Sequence, residues 1–193
     1  MNKRIDITLG IVLLAVLMIL GWRIFNLNAK VRAYKLQVNP YTEASKDYFG
    51  TVIPAFTLPS VSSESSFEFS PQEKGTFYLY ILFTPHDCQD CFKEIPFWNQ
   101  LRETYKSTIQ VIAIGAGGSR GMVNNFVNQN EVHVPTFYDQ DDKLYKYLGL
   151  NRSFLTPAKI LVNSKGTILH LAPSTHNDIR LQEEYVQLLE RLI

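Results

Sequence analysis

Cysteine is nearly absent from this chain: Cys88 and Cys91 are the only two among 193 residues. Two cysteines cannot build the several bridges that staple a small secreted scaffold, and a chain this long can bury a core without them. The pair is therefore expected to be chemical rather than structural. An excess of one charge is missing too, since 19 Lys and Arg face 18 Asp and Glu. That balance offers no basic surface for nucleic acid, and none is expected as a partner. Internal repeats are lacking, and the only compositional bias is the Ser-rich stretch Ser60 to Ser66, which reads as a loop. Gly115-Ala116-Gly117-Gly118 follows an apolar run but lacks the Gly-Lys-Ser/Thr ending and the GxGxxG spacing that cradle phosphate. It also reads as a loop, and no cofactor beyond the cysteine pair is implied. What remains, 46% hydrophobic and 19% charged, suits one globular domain of roughly 100 to 150 residues plus an appended segment.

That segment is N-terminal. Ile7 to Trp22 carries no charge, and Lys3, Arg4 and Asp6 precede it while Arg23 succeeds it. Counted from Ile5 to Phe25, it just spans about 30 Å of hydrocarbon, with Asp6 and Arg23 near the headgroups. Residues 1–25 are expected to be a single transmembrane anchor in contact with membrane lipid. A cleaved signal peptide and a buried core helix are the alternatives, but no good small-x-small site lies after Trp22. Arg23, Lys30, Arg32 and Lys35 outnumber Lys3 and Arg4, which by the positive-inside rule favours a cytoplasmic domain. Short anchors of the signal type translocate the domain C-terminal to them, and an extracytoplasmic domain on a bacterial cytoplasmic membrane is the expectation adopted. Residues 26–49, polar and broken by Asn39-Pro40, read as a tether.

Over residues 50–193, β and α patterns alternate. Thr76 to Phe83 and Thr108 to Ile114 are short apolar runs typical of strands buried on both faces. Between them, Gln89 to Tyr105 places Phe92, Ile95, Trp98 and Leu101 at helical spacing, with Pro96 bending the helix early. Ser119 can cap a helix through Val127, Val134 to Tyr138 reads as a strand, and Gln140 to Leu148 as a helix. Ala158 to Val162 and Thr167 to Leu171, joined by Asn163-Ser164-Lys165-Gly166, form an expected antiparallel hairpin. From Asp178, Leu181, Tyr185, Leu188, Leu189 and Leu192 mark the apolar face of a terminal helix. The order predicts an α/β fold, a central sheet with helices on both faces and right-handed crossovers.

CxxC between a strand and a helix puts Cys88 at the first turn, where free N–H groups and the helix dipole favour a thiolate. Cys88 is then the more exposed, attacking sulfur, and Cys91, one turn inside, resolves the mixed disulfide. Half of a zinc site and an inert disulfide remain as alternatives. Zinc needs two more ligands, and the histidines are His86, His133, His170 and His176, with no second paired motif. Glu94 lies three residues past Cys91 on one helix face, where it either moves protons during exchange or is an ordinary surface acid. Thr156-Pro157 stands at a strand entrance; if cis, it sets its backbone beside the disulfide to pair with a peptide.

The string Cys88-Gln89-Asp90-Cys91-Phe92-Lys93-Glu94-Ile95-Pro96 is similar to the CxxCxxExP pattern of TlpA-like, membrane-anchored thiol–disulfide oxidoreductases. These are thioredoxin-fold relatives of the redoxins and of the AhpC-TSA proteins. Ile53-Pro54-Ala55-Phe56-Thr57-Leu58 resembles the opening strand of that family. The likeness covers roughly Gly50 to Ile193, and the stretch from Cys91 to Pro157 is long enough for the β-α insertion these proteins carry. The resemblance implies a thioredoxin-like fold, Cys88 as nucleophile, Cys91 as resolving thiol, Glu94 as an acid near the sulfurs and Pro157 as the cis-proline of a groove shared with Thr156. It further implies protein thiols and disulfides as substrates, apocytochrome c or other exported proteins among them, and electrons from an integral membrane reductase.

Two positions depart from the family: Asp87 stands where tryptophan is usual and Asp90 where proline is common. Carboxylates there oppose the thiolate at Cys88 and keep its pKa from falling far. A less stabilised thiolate makes a poorer oxidant, so the expected potential lies nearer the roughly −270 mV of thioredoxin than the about −120 mV of DsbA. A thiol peroxidase on this fold is one rival. Its TxxC motif is missed by one register, since Thr84 is four before Cys88, and no arginine partner is evident beyond Arg120 and Arg152. A copper or zinc carrier using Cys88, Cys91 and His170 or His86 is another, although such carriers usually space their cysteines CxxxC.

Overall fold

A computed structural model of the protein describes residues 18, 20–24, 48–72, 75–86, 88–148 and 157–193. The anchor and tether fall almost wholly outside the described residues, as do Asp87, Arg152 and Thr156. Residues 18 and 20–24 are helical, and among the described residues no helix is long and apolar enough to cross a membrane. The described chain from Tyr48 onward lies in one compact unit.

Its centre is a five-stranded mixed sheet. The strands are β3 (Phe77–Phe83), β4 (Ile109–Ala116), β5 (Thr136–Asp139), β6 (Ala158–Val162) and β7 (Ile168–Ala172), in the order β5-β4-β3-β6-β7. β3, β4 and β5 run parallel; β6 is antiparallel to β3 and β7 to β6. Burial on both faces explains the unbroken apolar runs of β3 and β4, and the predicted 167–171 hairpin arm is shifted by one residue. Gly166 closes that hairpin at φ +85°, with the oxygen of Ile53 2.7 Å from where a Cβ would stand. Both facts exclude a side chain there.

Helix α1 (Gln89–Tyr105), α2 (Arg120–Gln129) and α4 (Ile179–Leu192) bury their apolar residues in one cluster with Leu79, Ile81, Phe83, Val111 and Leu161. The bounds of α1 match the periodicity, and Ser119 caps α2 through its side chain. Phe92 departs from the expectation. It is 49% exposed, resting on Phe126 of α2 with ring centroids 5.2 Å apart. The predicted helix from Gln140 to Leu148 is broken into a 3-10 turn (Gln140–Asp142) and α3 (Lys143–Tyr147), because Asp141 and Asp142 adopt φ +61° and +54°. Asp142 uses that turn to accept from the amide of Gly117 at 2.9 Å, so the glycine loop faces a carboxylate.

The other sheet face is covered by a hairpin that residue spacing does not predict. β1 (Phe56–Pro59) pairs antiparallel with β2 (Ser66–Phe69), and Phe56, Phe67 and Phe69 pack their rings on Tyr78 and Tyr80 of β3. The Ser-rich stretch is the connection of this hairpin. Gly115 in β4 sets how closely α2 can approach, since an added Cβ would lie 2.4 Å from Cγ1 of Val123 and 3.1 Å from Phe83. Gly115→Ala is therefore expected to lower stability by about 1 to 3 kcal/mol, the usual cost of overpacking, measurable by urea denaturation.

Candidate active site

Cys88 is the N-cap of α1, with no side-chain cap of its own, and its carbonyl accepts from the amide of Cys91 at 3.1 Å. The two sulfurs are joined as a disulfide with a Cα–Cα separation of 5.2 Å. Both cysteines are buried in the disulfide form, Cys88 at 4% exposure and Cys91 at none. Sheet topology brings the second element of the site to the same end. β3 runs toward the loop that carries Cys88, and its Leu82 pairs with Ala158 at the start of β6. Pro157, buried and one residue earlier, thus lies at the sheet end from which the cysteine loop departs. The peptide it shares with Thr156 falls outside the described residues.

Glu94 is fully buried on the face of α1 that carries Cys91, which rules out the surface-acid alternative. Oε2 accepts from Trp98 Nε1 at 3.1 Å and from Lys159 Nζ at 2.9 Å. Oε1 accepts from Lys159 Nζ at 3.2 Å, from the Ser174 hydroxyl at 3.1 Å, and from both the hydroxyl (2.6 Å) and the amide of Thr175. Lys159, on β6 and also fully buried, sends its third N–H to the carbonyl of Pro173 at 2.7 Å. Three acceptors match the three N–H groups of an ammonium; burial pulls the Lys159 pKa down, while the Glu94 charge and its hydrogen bonds hold it up. Burial pushes the Glu94 carboxyl up, but the Lys159 charge and the hydrogen bonds from Thr175 and Lys159 outweigh it and hold the carboxyl below its ordinary range. Lys159 is not singled out by any motif; its signal in the sequence is a lysine in the apolar strand Ala-Lys-Ile-Leu-Val.

The lowered Glu94 value carries a sign. Above the ordinary carboxylate value of 4.5 its stabilisation is complete, and it is lost as pH falls from there through the folded-state value. The urea midpoint is expected to hold steady from pH 7 to about 5 and then drop on further acidification. A midpoint already falling between pH 7 and 6 would contradict the assignment.

Asp90, between the cysteines, is half-buried and shared. One oxygen lies 2.8 Å from His176 Nδ1 and the other 3.4 Å from Lys93 Nζ. Lys93 is thus a cation beside the Asp90 carboxylate, which spacing alone does not show. The loop after β7 therefore touches α1 twice, through Ser174 and Thr175 on Glu94 and through His176 on Asp90. Thr84 donates to the carbonyl of His86 at 3.0 Å, and Arg120 donates to the carbonyl of Ser63. His170 is half-buried beside the Tyr185 ring, 6.2 Å between centroids, with its pKa pushed down by burial and by Lys159. Among the described residues no group of three or more His, Cys, Asp or Glu is placed to hold a metal.

Comparison with known proteins agrees with this geometry. The Redoxin family matches residues 49–187. The thiol-disulfide oxidoreductase ResA of Bacillus subtilis is 24% identical over 190 residues, covering 98% of this chain and 95% of its own. ResA of Bacillus thuringiensis subsp. konkukian is 24% identical over 144 residues, 74% of this chain and 80% of its own. Among solved structures, a candidate DsbE thiol:disulfide interchange protein of Chlorobium tepidum superposes with a TM-score of 0.63 at 19% identity, covering 75% of this chain and 96% of that one. StoA of Bacillus subtilis gives 0.54 at 19%, covering 69% and 98%. A disulfide at a helix start, a buried proline at the facing strand and a family match over residues 49–187 agree: the chain belongs to the redoxin family, as a TlpA-like thiol–disulfide oxidoreductase.

Proposed function

We propose that this oxidoreductase works in the reducing direction on disulfides of exported proteins, tethered to the outer side of a cytoplasmic membrane by residues 1–25 and fed with electrons by an integral membrane reductase. The observation that carries the reading is the Cys88–Cys91 disulfide at the N-cap of α1, with Pro157 at the strand entrance of the same sheet end. In the reduced state the Cys88 thiolate attacks the substrate disulfide and one substrate sulfur leaves with its electron pair and takes a proton. Cys91 then attacks Cys88, releasing the second substrate thiol and closing the disulfide. Asp87 and Asp90 disfavour the Cys88 thiolate and so lower the potential of the couple, making the dithiol the better reductant, Asp90 less strongly because Lys93 lies beside it.

Trapping tests the reading. Cys91→Ser leaves Cys88 unable to resolve, so a covalent mixed disulfide with an exported protein is expected on non-reducing gels, and its loss on adding dithiothreitol. A native membrane preparation that yields no trapped protein would count against exchange. Redox titration is expected to give a potential below about −180 mV, the isomerase range; a higher value overturns the reducing assignment. Protease digestion of intact spheroplasts should remove residues 50–193, and full protection would sink the extracytoplasmic placement.

A further inference from the structure

The acid of the CxxCxxExP string has no free acceptor position. Six hydrogen-bond contacts from Lys159, Trp98, Ser174 and Thr175 occupy the two oxygens of Glu94. A proton arriving from Cys91 would have to displace one of these donors inside a fully buried site. The groups facing the carboxylate from the packed elements are Lys159 of β6, Tyr185 of α4, Ser174 and Thr175 of the loop after β7, and Trp98 of its own helix; Cys91 stands three residues before Glu94 on that helix. The Tyr185 ring lies 5.5 Å from Lys159 Nζ, with His170 of β7 behind it. Asp90, which Lys93 and His176 approach, stands one turn nearer the helix start. Lys159 is the one cation hydrogen-bonded to the carboxylate among the described residues.

Resting on the exchange function, we propose that Lys159 is a positioning residue of the dithiol reaction, pinning Glu94 as a carboxylate in both redox states so that it acts as a fixed charge and not as a carrier of protons. The proton balance does not need Glu94. When Cys91 attacks Cys88 within the mixed disulfide, the Cys91–Cys88 bond forms and the bond from Cys88 to the substrate sulfur breaks. The electron pair departs on that sulfur, which takes up the proton that Cys91 gives up. What Glu94 contributes is a standing negative charge on the Cys91 face of α1, which keeps Cys91 a thiol until the mixed disulfide exists.

Carboxyl-labelled glutamate in the full chain, with Glu94 assigned by Glu94→Gln, reads this by NMR. The Glu94 resonance is expected at its carboxylate position from pH 5 to 9, in the oxidised protein and after dithiothreitol reduction. Lys159→Arg should preserve that flat response. Lys159→Met should give a Glu94 titration inside the range, with a matching new inflection in the pH profile of Cys88 alkylation. A Glu94 resonance that titrates in the reduced native protein overturns the proposal, and this measurement stands even if Lys159→Met does not fold. A folded Lys159→Met with an unchanged alkylation profile also overturns it. Failure to reduce any disulfide while the resonance stays flat would condemn the exchange reading and leave the ion pair standing.

Discussion

Replacing Cys88 by serine is expected to lower the rate of disulfide reduction by about 10³-fold or more, the scale of loss when an enzyme's nucleophile is removed. Cys88 has no substitute, since Cys91 is the only other thiol in the chain and is wholly buried. A serine hydroxyl at the same N-cap can accept hydrogen bonds from the first turn of α1, but it does not ionise there and cannot attack sulfur. Stability should change little, because the lost disulfide closes only the short loop from Cys88 to Cys91 and removes little chain entropy. Reduction of insulin, monitored by turbidity, together with a urea midpoint for the same sample, separates the two effects. Residual turnover within tenfold of the native rate would mean that Cys91 attacks substrate directly and that the assignment of roles is reversed.

Much of this site is legible from residue spacing. The helix from Gln89 to Tyr105, the Ser119 cap, the strand Ala158–Val162 and the terminal helix after Asp178 all arise from local patterns whose period matches their burial. The β1–β2 hairpin is not legible as such. Its strands are four residues each, too short for a period to show, and they are held by ring contacts to Tyr78 and Tyr80 that are remote in sequence. Asp141 and Asp142 break a predicted helix for a similar reason, since the partner that rewards the left-handed turn is the distant amide of Gly117. At the site, spacing places Cys88, Cys91, Glu94 and Pro157 along the chain but cannot say what Glu94 touches. Lys159, Ser174 and Thr175 come from β6 and the loop after β7, 65 to 81 residues away.

Lys159→Met is the substitution expected to cost most in stability, about 3 to 5 kcal/mol, the range for removing one partner of a buried ion pair. Methionine fills a similar volume beside the Tyr185 ring, so the loss is electrostatic and not a cavity. It leaves Glu94 buried with the neutral donors Trp98, Ser174 and Thr175 and frees the carbonyl of Pro173. Adding Glu94→Gln should recover part of the loss, because a neutral amide still accepts from Thr175 and carries no charge to desolvate. A double-mutant cycle from urea denaturation at pH 7 then gives the coupling between the two side chains directly. Coupling below about 0.5 kcal/mol, the level of an exposed pair, would show that burial does not strengthen this bridge and that Glu94 is held by the loop alone. Strong coupling would mean that the same contact that positions the Glu94 carboxylate also ties β6 to α1, so an enzyme able to vary its proton chemistry there would have to give up stability to do so.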